Sequence, residues 1–355
     1  GECMSQVTAL SLFSGGLDSI LATRMVMGLG IRVVAIKFVT PFFDDRLLED
    51  PQAYQDEIQK KYGIDVTLVD LSAIYLDLLH APQHGFGKNF NPCIDCKILM
   101  LRRAREMMAT CQASFIITGE VLGQRPMSQR RDTLRVIARD SQVESLLLRP
   151  LSARLLPESA AEKAGWVDRE QLGDFSGRGR SRQIALARNY GIKEFPAPAG
   201  GCILADPILS KRIARIYAGE FVITPAEITL TDIRLLLVGR QFVLPDFPPA
   251  GCWLILGRDE QENDRLEGMA EAGDVLLFMP DWPGPTVLIR RAKRVPEEVG
   301  QAELLHLAAA LVVRYAKKGE IGSDVTVEIR QDGRVSHMPV PAPLSDELRK
   351  EWQLL

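Results

Sequence analysis

The chain has no long apolar segment. None of its hydrophobic runs approaches the roughly 20 residues of a transmembrane helix, and residues 1–8 lack the basic and apolar parts of a secretory signal peptide. These absences predict a cytoplasmic protein without a membrane partner. With 355 residues, of which 46% are hydrophobic, the chain is long enough for two or three domains with buried cores.

Net charge is also small. The formal charge is -3 at pH 7, which excludes a uniformly basic nucleic-acid coat protein but allows a local basic face. Any contact with RNA is therefore expected to be regional.

Cysteine is scarce, with six in the chain. Cys3 stands in what looks like a cloning remnant and is left aside. In a reducing compartment the other five do not predict a disulfide framework, so the close pair Cys93 and Cys96 indicates a metal site or a catalytic site. Cys111 and Cys252 have apolar or small neighbours, which predicts buried thiols.

Strand and helix signals alternate in the first part of the chain. Residues 7–13 predict a strand, residues 14–19 a turn and residues 20–29 a helix. The further signals are strands at 31–39, 65–70 and 114–118 and helices at 51–62 and 96–108. This alternation predicts an α/β fold with a parallel sheet covered by helices on both faces. Ligands bind such sheets beyond the carboxyl ends of the strands.

The second part of the chain has a different pattern. In residues 151–207, glycines and prolines separate short helical stretches, which predicts an accessory segment across the open end of the sheet. Strand signals return at 235–238, 253–256, 275–278 and 287–291. The predicted organisation is a first domain at 4–150, the accessory segment at 151–207 and an α+β domain at 208–340.

The turn after the first strand carries the clearest chemical signal. Its sequence is Ser14-Gly15-Gly16-Leu17-Asp18-Ser19. The glycine pair lets backbone amides approach a pyrophosphate, and the helix start adds a positive dipole end. The two serine hydroxyls are further donors, and the aspartate can hold Mg²⁺ or orient the loop. A Gly-Lys-Ser/Thr ending is lacking, which argues against a kinase-type phosphate loop. The alternative is a plain tight turn feeding a helix.

This loop resembles the signature of the PP-loop ATP pyrophosphatases, which have an adenine nucleotide alpha hydrolase-like fold. The resemblance implies ATP and Mg²⁺ as ligands and cleavage of ATP to AMP and pyrophosphate through an adenylated intermediate. It also implies adenine contacts from the second strand, near Ile36 and Phe38. Gly119, directly after a predicted strand, falls at the same edge of the sheet.

Three cysteines form the second chemical signal. Asn91-Pro92-Cys93-Ile94-Asp95-Cys96 places two thiols just before a helix, whose dipole favours the thiolate. Cys202 follows two glycines in Ala199-Gly200-Gly201, which could equally be a turn with a buried thiol. Three thiolates leave one position of a cubane cluster or of a tetrahedral zinc open, and that position can bind sulfide.

The same motifs resemble tRNA thiolation enzymes with a three-cysteine 4Fe-4S cluster, of the 4-thiouridine and 2-thiouridine synthetase branches. The likeness extends over residues 7–206 and includes the run Thr118-Gly119-Glu120-Val121-Leu122-Gly123-Gln124. It implies that Cys93, Cys96 and Cys202 hold the cluster. The alternative metal is Zn²⁺ completed by His80 or His84. An amino-terminal RNA-binding domain and a rhodanese-like sulfur carrier are not expected in this chain, which leaves the target uridine open.

Two arginine-rich stretches indicate RNA. They contain Arg125, Arg130, Arg131, Arg135 and Arg139, and then Arg178, Arg180, Arg182 and Arg188. Guanidinium groups at this density suit phosphate contacts, although a solvated face is the common alternative. Residues 235–330 resemble the NFACT-R domain (DUF814), an RNA-associated module, through segments such as Asp281-Trp282-Pro283-Gly284. Trp282 is interpreted either as a base-stacking side chain or as a core residue.

Together these signals predict a tRNA uridine thiolase. ATP activates a uracil carbonyl as an adenylate, with Asp18 positioning Mg²⁺, and sulfur displaces AMP. The expected partners are tRNA and a sulfur donor, either sulfide or a cysteine desulfurase, and a homodimer is left open. The alternatives are persulfide chemistry on Cys202 resolved by Cys96, a small-molecule ligase or amidotransferase, and a non-catalytic RNA-binding module with structural zinc.

Overall fold

The computed structural model describes residues 6–198, 202–244, 247, 251–298 and 300–354. The chain divides into two compact units between Ala205 and Asp206, and each unit is described by itself. Within the described ranges, no helix combines the length and the apolar character needed to cross a membrane.

The first unit is built on a five-stranded parallel sheet. Its strands are β1 (Thr8–Leu12), β2 (Arg32–Val39), β3 (Val66–Asp70), β4 (Phe115–Thr118) and β5 (Leu147–Leu148). Their spatial order is β3-β2-β1-β4-β5, and every neighbouring pair is parallel. The chain order changes direction between β1 and β4, so a crevice opens beyond the carboxyl ends of these two strands.

Helices cover both faces of this sheet, as the sequence predicts. They are α1 (Leu17–Gly28), α2 (Pro51–Tyr62), α3 (Ser72–His80), α4 (Cys93–Met107), α5 (Arg131–Asp140), α6 (Ala160–Lys163) and α7 (Ser181–Asn189). Successive strand residues point to opposite faces, so Ala9 joins one apolar core with Ile20 while Leu10 joins the other with Ile98. Both faces are therefore buried, and the predicted fold class is confirmed.

The segment after β5 completes the first of these cores. Leu151, Leu172, Phe175 and Ala187 pack in the same cluster as Phe13, which follows β1. Residues 151–198 thus belong to the first unit and lie against the strand that leads into the glycine turn.

The second unit is α+β, as predicted, with an antiparallel sheet. Its strands are β6 (Arg240–Leu244), β7 (Cys252–Leu256), β8 (Val275–Phe278), β9 (Val287–Arg290), β10 (Thr326–Gln331), β11 (Arg334–Pro339) and β12 (Gln353–Leu354), in the order β11-β10-β8-β9-β7-β6-β12. Its helices are α8 (Pro207–Tyr217), α9 (Leu230–Leu236), α10 (Glu260–Met269), α11 (Gln301–Tyr315) and α12 (Asp346–Trp352).

Two predictions need correction here, those for residues 235–238 and for Cys111. Residues 235–238 are not a strand, because a capping box starts helix α9: Asp232 accepts from the Thr229 amide at 2.9 Å and donates its own amide to the Thr229 hydroxyl at 3.2 Å. Cys252 is buried as expected, whereas Cys111 is only partly buried. Trp282 packs against the core of the second unit and donates its indole N–H to the Lys317 carbonyl at 3.1 Å.

Candidate nucleotide and thiol site

The glycine turn between β1 and α1 is held together by the Ser19 hydroxyl. It accepts from the Gly15 amide at 3.1 Å and donates to the Gly16 carbonyl at 2.9 Å, and it lies 3.1 Å from the Ser14 hydroxyl. Gly15 has φ +86°, a conformation that favours glycine. Gly16 caps the helix without a side-chain hydrogen bond, so the first-turn amides of α1 are free to meet an anion.

Gly119 brings the end of β4 against this turn. A Cβ atom at Gly119 would lie 2.5 Å from the Ser19 nitrogen and 2.7 Å from the Asp18 carbonyl carbon. The backbone of Gly119 lies directly against the backbone of Asp18 and Ser19, so only glycine fits at position 119. The structure therefore places Gly119 beside the loop, as the sequence predicts, and its role there is to permit close approach.

The Asp18 carboxylate lies in the crevice. One oxygen, Oδ2, accepts from the Gln124 amide at 2.5 Å, and Gln183 donates to Gln124 at 3.1 Å. The other oxygen, Oδ1, is buried without a hydrogen-bond partner in the described part of the chain. Burial raises the pKa of Asp18, while the Gln124 bond and the charges of Arg180 and Arg125 act in the opposite direction. A buried, unused carboxylate oxygen suits a hard cation such as Mg²⁺.

Two of the predicted RNA-binding arginines lie near Asp18 of the loop. Arg125 and Arg180 are close enough to Asp18 for their charges to lower its pKa, and the Arg180 Nε is buried without a hydrogen-bond partner among the described residues. These arginines come from the two separate clusters. Their position suits contact with phosphate groups at the loop.

The other arginines of the two clusters do not converge on the loop. Arg130 pairs with Asp132 at 3.4 Å, and Arg131 donates to the Leu155 carbonyl at 2.9 Å. Arg182 pairs with Asp174 at 2.5 Å and lies 4.3 Å from the centre of the Phe175 ring. Arg135, Arg139, Arg178 and Arg188 are exposed. RNA contact by these exposed side chains stays a prediction.

A buried ion pair lies next to the loop. Glu120, only 3% exposed, accepts from the Thr118 hydroxyl at 3.0 Å and from the Arg149 guanidinium at 3.2 Å. Burial opposes the charge of Glu120, but the Arg149 and Lys97 charges outweigh it, so its pKa is lowered. Sequence reasoning did not find Arg149. The available signal was a charged residue directly after the apolar pair that forms β5.

Lys37 is a second residue that sequence reasoning missed. It is 5% exposed, and its ammonium donates to the Ser14 carbonyl at 2.5 Å and pairs with Asp44 at 2.8 Å. A lysine inside the apolar part of β2, between Ile36 and Phe38, was the signal. On either side of it, Ile36 and Phe38 are buried, and β2 runs three residues beyond the Leu12–Ile36 pairing, to Val39. Residues 37–39 therefore have no partner in β1, which leaves strand backbone beside the crevice.

The three cysteines lie close enough to one another and to Tyr75 for their charges to interact. Tyr75 is hydrogen-bonded to Cys96, and burial together with the charges of Cys96, Cys202 and Cys93 raises the Tyr75 pKa. Asn91 donates to the Cys93 sulfur at 3.1 Å, and the Leu204 amide donates to the Cys202 sulfur at 3.5 Å. Residues 199–201, which complete the glycine motif before Cys202, lie outside the described residues.

The state of the thiols differs from the expected one. Burial raises the pKa of Cys96 to about 11 and that of Cys202 to about 12, although Cys96 lies in the first turn of α4. Loss of hydration is the largest influence on both thiols and disfavours the thiolate. At neutral pH these thiols are protonated, and a metal that binds here must displace protons.

The three cysteines supply donor atoms for a metal, but their side chains are not arranged as a metal site. In the ranges that the structure describes, no group of three or more His, Cys, Asp or Glu side chains is arranged to hold a metal ion. The three thiols match the donor set of a cluster, and each raises the pKa of the neighbouring Tyr75. His84 is engaged elsewhere, with Asp140 at 3.0 Å.

Asp95 is a structural residue. It is 5% exposed, and its two oxygens accept from the amides of Gln83 at 3.0 Å and His84 at 2.8 Å. Although Asp95 stands between the two cysteines, it therefore does not face solvent. Its side chain anchors the loop that leads into the cysteine pair.

Comparison with known proteins finds two family matches. Residues 4–154 match the family described as "Thiamine biosynthesis protein (ThiI)", and residues 239–353 match the "NFACT protein RNA binding domain". A probable tRNA sulfurtransferase of Thermococcus kodakarensis is 24% identical over 148 residues, which cover 41% of this chain and 37% of that protein. The tRNA sulfurtransferase of Edwardsiella ictaluri is 25% identical over 232 residues, which cover 61% of this chain and 39% of that protein.

Among solved structures, a 4-thiouridine synthetase in complex with RNA and bound ATP is similar with a TM-score of 0.33 and 19% identity, over 52% of each chain. This chain spans less than two fifths of the length of the curated relatives it matches. The family matches confirm both resemblances that the motifs predicted, that of the first part to tRNA thiolation enzymes and that of the last part to the NFACT-R domain.

Proposed function

We propose that this chain is an ATP-dependent tRNA uridine thiolase. One observation carries the proposal: residues 40–44 connect the nucleotide loop to Cys202. At one end of this segment Asp44 pairs with Lys37 under the loop. Two residues earlier, the Phe42 carbonyl lies 4.0 Å from the Cys202 sulfur. The family matches point to the same chemistry.

The proposed reaction has two steps. A uracil carbonyl oxygen attacks the α-phosphorus of ATP, and pyrophosphate leaves. Sulfide sulfur then attacks the ring carbon that carries this oxygen, and AMP leaves with the former uracil oxygen. The loop amides and the α1 dipole bind the pyrophosphate, and Asp18 orients Mg²⁺. Arg125 and Arg180 offset the negative charge of the leaving pyrophosphate.

The thiols serve the second step. Cys93, Cys96 and Cys202 would hold a 4Fe-4S cluster, which when bound supplies one open iron position for sulfide. Because two of these thiols are protonated when free, loading of the site releases protons. The Tyr75 hydroxyl and the Asn91 amide keep two of the sulfurs in place.

Local basic patches bind the tRNA substrate in this proposal. The second unit carries 18 lysines and arginines against 23 aspartates and glutamates, so its overall field repels phosphate. We assign tRNA contact to the exposed arginines near the crevice, with the NFACT-R-like unit contributing a local patch or shape recognition. The sulfur donor is a separate cytoplasmic source, either sulfide or a desulfurase.

The test is anaerobic reconstitution with iron and sulfide, followed by incubation with ATP, Mg²⁺ and unmodified tRNA. Thiouridine in the digested tRNA is expected from the wild type and not from Cys202→Ala, while Cys111→Ala serves as the matched control. Full thiolation by Cys202→Ala would remove that thiol from the mechanism. Thiolation by iron-free protein would favour a persulfide route. If no thiouridine forms and AMP is released only when a small-molecule substrate is added, the result would favour a ligase.

A further inference from the structure

The Lys37 ammonium lies between the nucleotide loop and residues 40–44. It donates to the Ser14 carbonyl at 2.5 Å and pairs with Asp44 at 2.8 Å. The nitrogen would lie 3.5 Å from a Cβ placed on Gly15, and it is 5.7 Å from the centre of the Tyr54 ring. This buried cation is therefore in direct contact with the turn whose amides face the pyrophosphate.

Its two partners differ in how firmly they are held. Ser14 belongs to the loop and is fixed by the hydrogen bonds around Ser19. Asp44 has a side chain that is 49% exposed, against 6% for that of Lys37, and its backbone adopts φ 62°. Aspartate adopts this left-handed conformation more readily than most residues other than glycine, so the backbone does not oppose the side chain's position. Release from Lys37 therefore requires little further hydration of the carboxylate itself, because water already solvates half of it.

We propose that Lys37 is an anion subsite for a phosphate oxygen of the bound nucleotide, and that Asp44 occupies this subsite when nucleotide is absent. The inference rests on the proposed nucleotide loop. A buried ammonium without an anion is costly, so the carboxylate leaves only when a phosphate replaces it. The protein's own aspartate thus competes with ATP.

Competition of this kind predicts an unusual result for Asp44. Replacing a residue that supports a binding site weakens binding, whereas replacing a competitor tightens it. Asp44→Asn removes the negative charge and keeps a residue type that tolerates the left-handed backbone. Because the free protein then holds Lys37 without an anion, the variant should keep the fold with some loss of stability and bind nucleotide more tightly than the wild type.

The experiment measures equilibrium binding of a non-hydrolysable ATP analogue with Mg²⁺ to the full chain. Asp44→Asn is expected to tighten binding by about fivefold, the scale of a half-exposed ion pair. Lys37→Met is expected to weaken it by about tenfold or more. Glu57→Gln, in the exposed pair with Lys61 on α2, is the control and should leave affinity unchanged. Adenosine, which lacks phosphate, should bind Asp44→Asn and wild type equally.

The outcomes separate the two proposals. Unchanged or weaker analogue binding by Asp44→Asn, with normal binding by the wild type, would overturn the exchange and leave the thiolase proposal intact. A wild type that binds no analogue would overturn both. If Lys37→Met does not fold, the comparison of Asp44→Asn with Glu57→Gln still decides the question.

Discussion

Gly119→Ala is the substitution that most directly tests the packing of the nucleotide loop. The added methyl group would lie 2.5 Å from the Ser19 nitrogen and 2.6 Å from its Cα. Both atoms are backbone, so no side chain can rotate out of the way. Reaching even 3.0 Å requires the start of α1 to move by about 0.5 Å.

A shift of that size disrupts the turn. The two 3.1 Å contacts of the Ser19 hydroxyl, with the Gly15 amide and the Ser14 hydroxyl, would lengthen to about 3.6 Å, beyond hydrogen-bonding distance. Overpacking of this kind costs about 1–3 kcal/mol of folding free energy. We expect nucleotide affinity to fall by about tenfold or more, because the amides that face the phosphates move with the helix.

The assay pairs urea denaturation with binding of an ATP analogue. Gly28→Ala is the matched control, since a Cβ at Gly28 on the same helix meets nothing within 4 Å, and it should leave both measurements nearly unchanged. Wild-type stability and affinity in Gly119→Ala would refute the close approach of β4 and α1.

Three further predictions concern buried polar groups. Asp18→Asn should raise the free energy of unfolding at pH 7 while abolishing AMP formation. Burial raises the pKa of Asp18 above its ordinary value of 3.8, so in the wild type the ionised carboxylate opposes folding at higher pH. The stability gained by the substitution should therefore vanish below pH 3.8. Arg149→Met should cost about 3–5 kcal/mol in denaturation, since it leaves Glu120 buried without its partner. Gln241→Leu should cost the second unit about 3 kcal/mol or more, because it strands the Trp253 N–H and two carbonyls.

Each of these has a contradicting outcome. Loss of stability in Asp18→Asn at pH 7 would mean that the charged form supports the fold. A cost for Arg149→Met no greater than that of the exposed Arg103→Met, whose partner is Glu106, would refute the buried pair. Unchanged unfolding of Gln241→Leu by Trp fluorescence would refute the hydrogen bonds around Trp253.

Local pattern was enough to predict the sheet and the loop. The strand, glycine turn and helix around Ser14 to Ser19 lie within a few residues of one another, so chain order alone places them at the carboxyl edge of the sheet. The helix at 51–62 and the strand at 275–278 were likewise predicted with their observed bounds. The apolar run at 235–238 misled because apolar residues at a helix end look like a short strand.

Long-range proximity could not be predicted from the sequence. Arg125 and Arg180 are 55 positions apart, and only the folded chain brings both near Asp18. The thiol pKa values depend chiefly on burial, which the sequence does not display. Lys37 could be recognised as unusual, but its two partners, Ser14 and Asp44, come from different loops.

The fate of the uracil oxygen tests the central claim most directly. Unmodified tRNA carrying ¹⁸O in its uracil carbonyls is incubated with the reconstituted protein, ATP, Mg²⁺ and sulfide, and the AMP is analysed by mass spectrometry. Adenylation of the base predicts one ¹⁸O in AMP for each thiouridine formed. Unlabelled AMP alongside thiouridine, or release of ADP in place of AMP, would contradict the account.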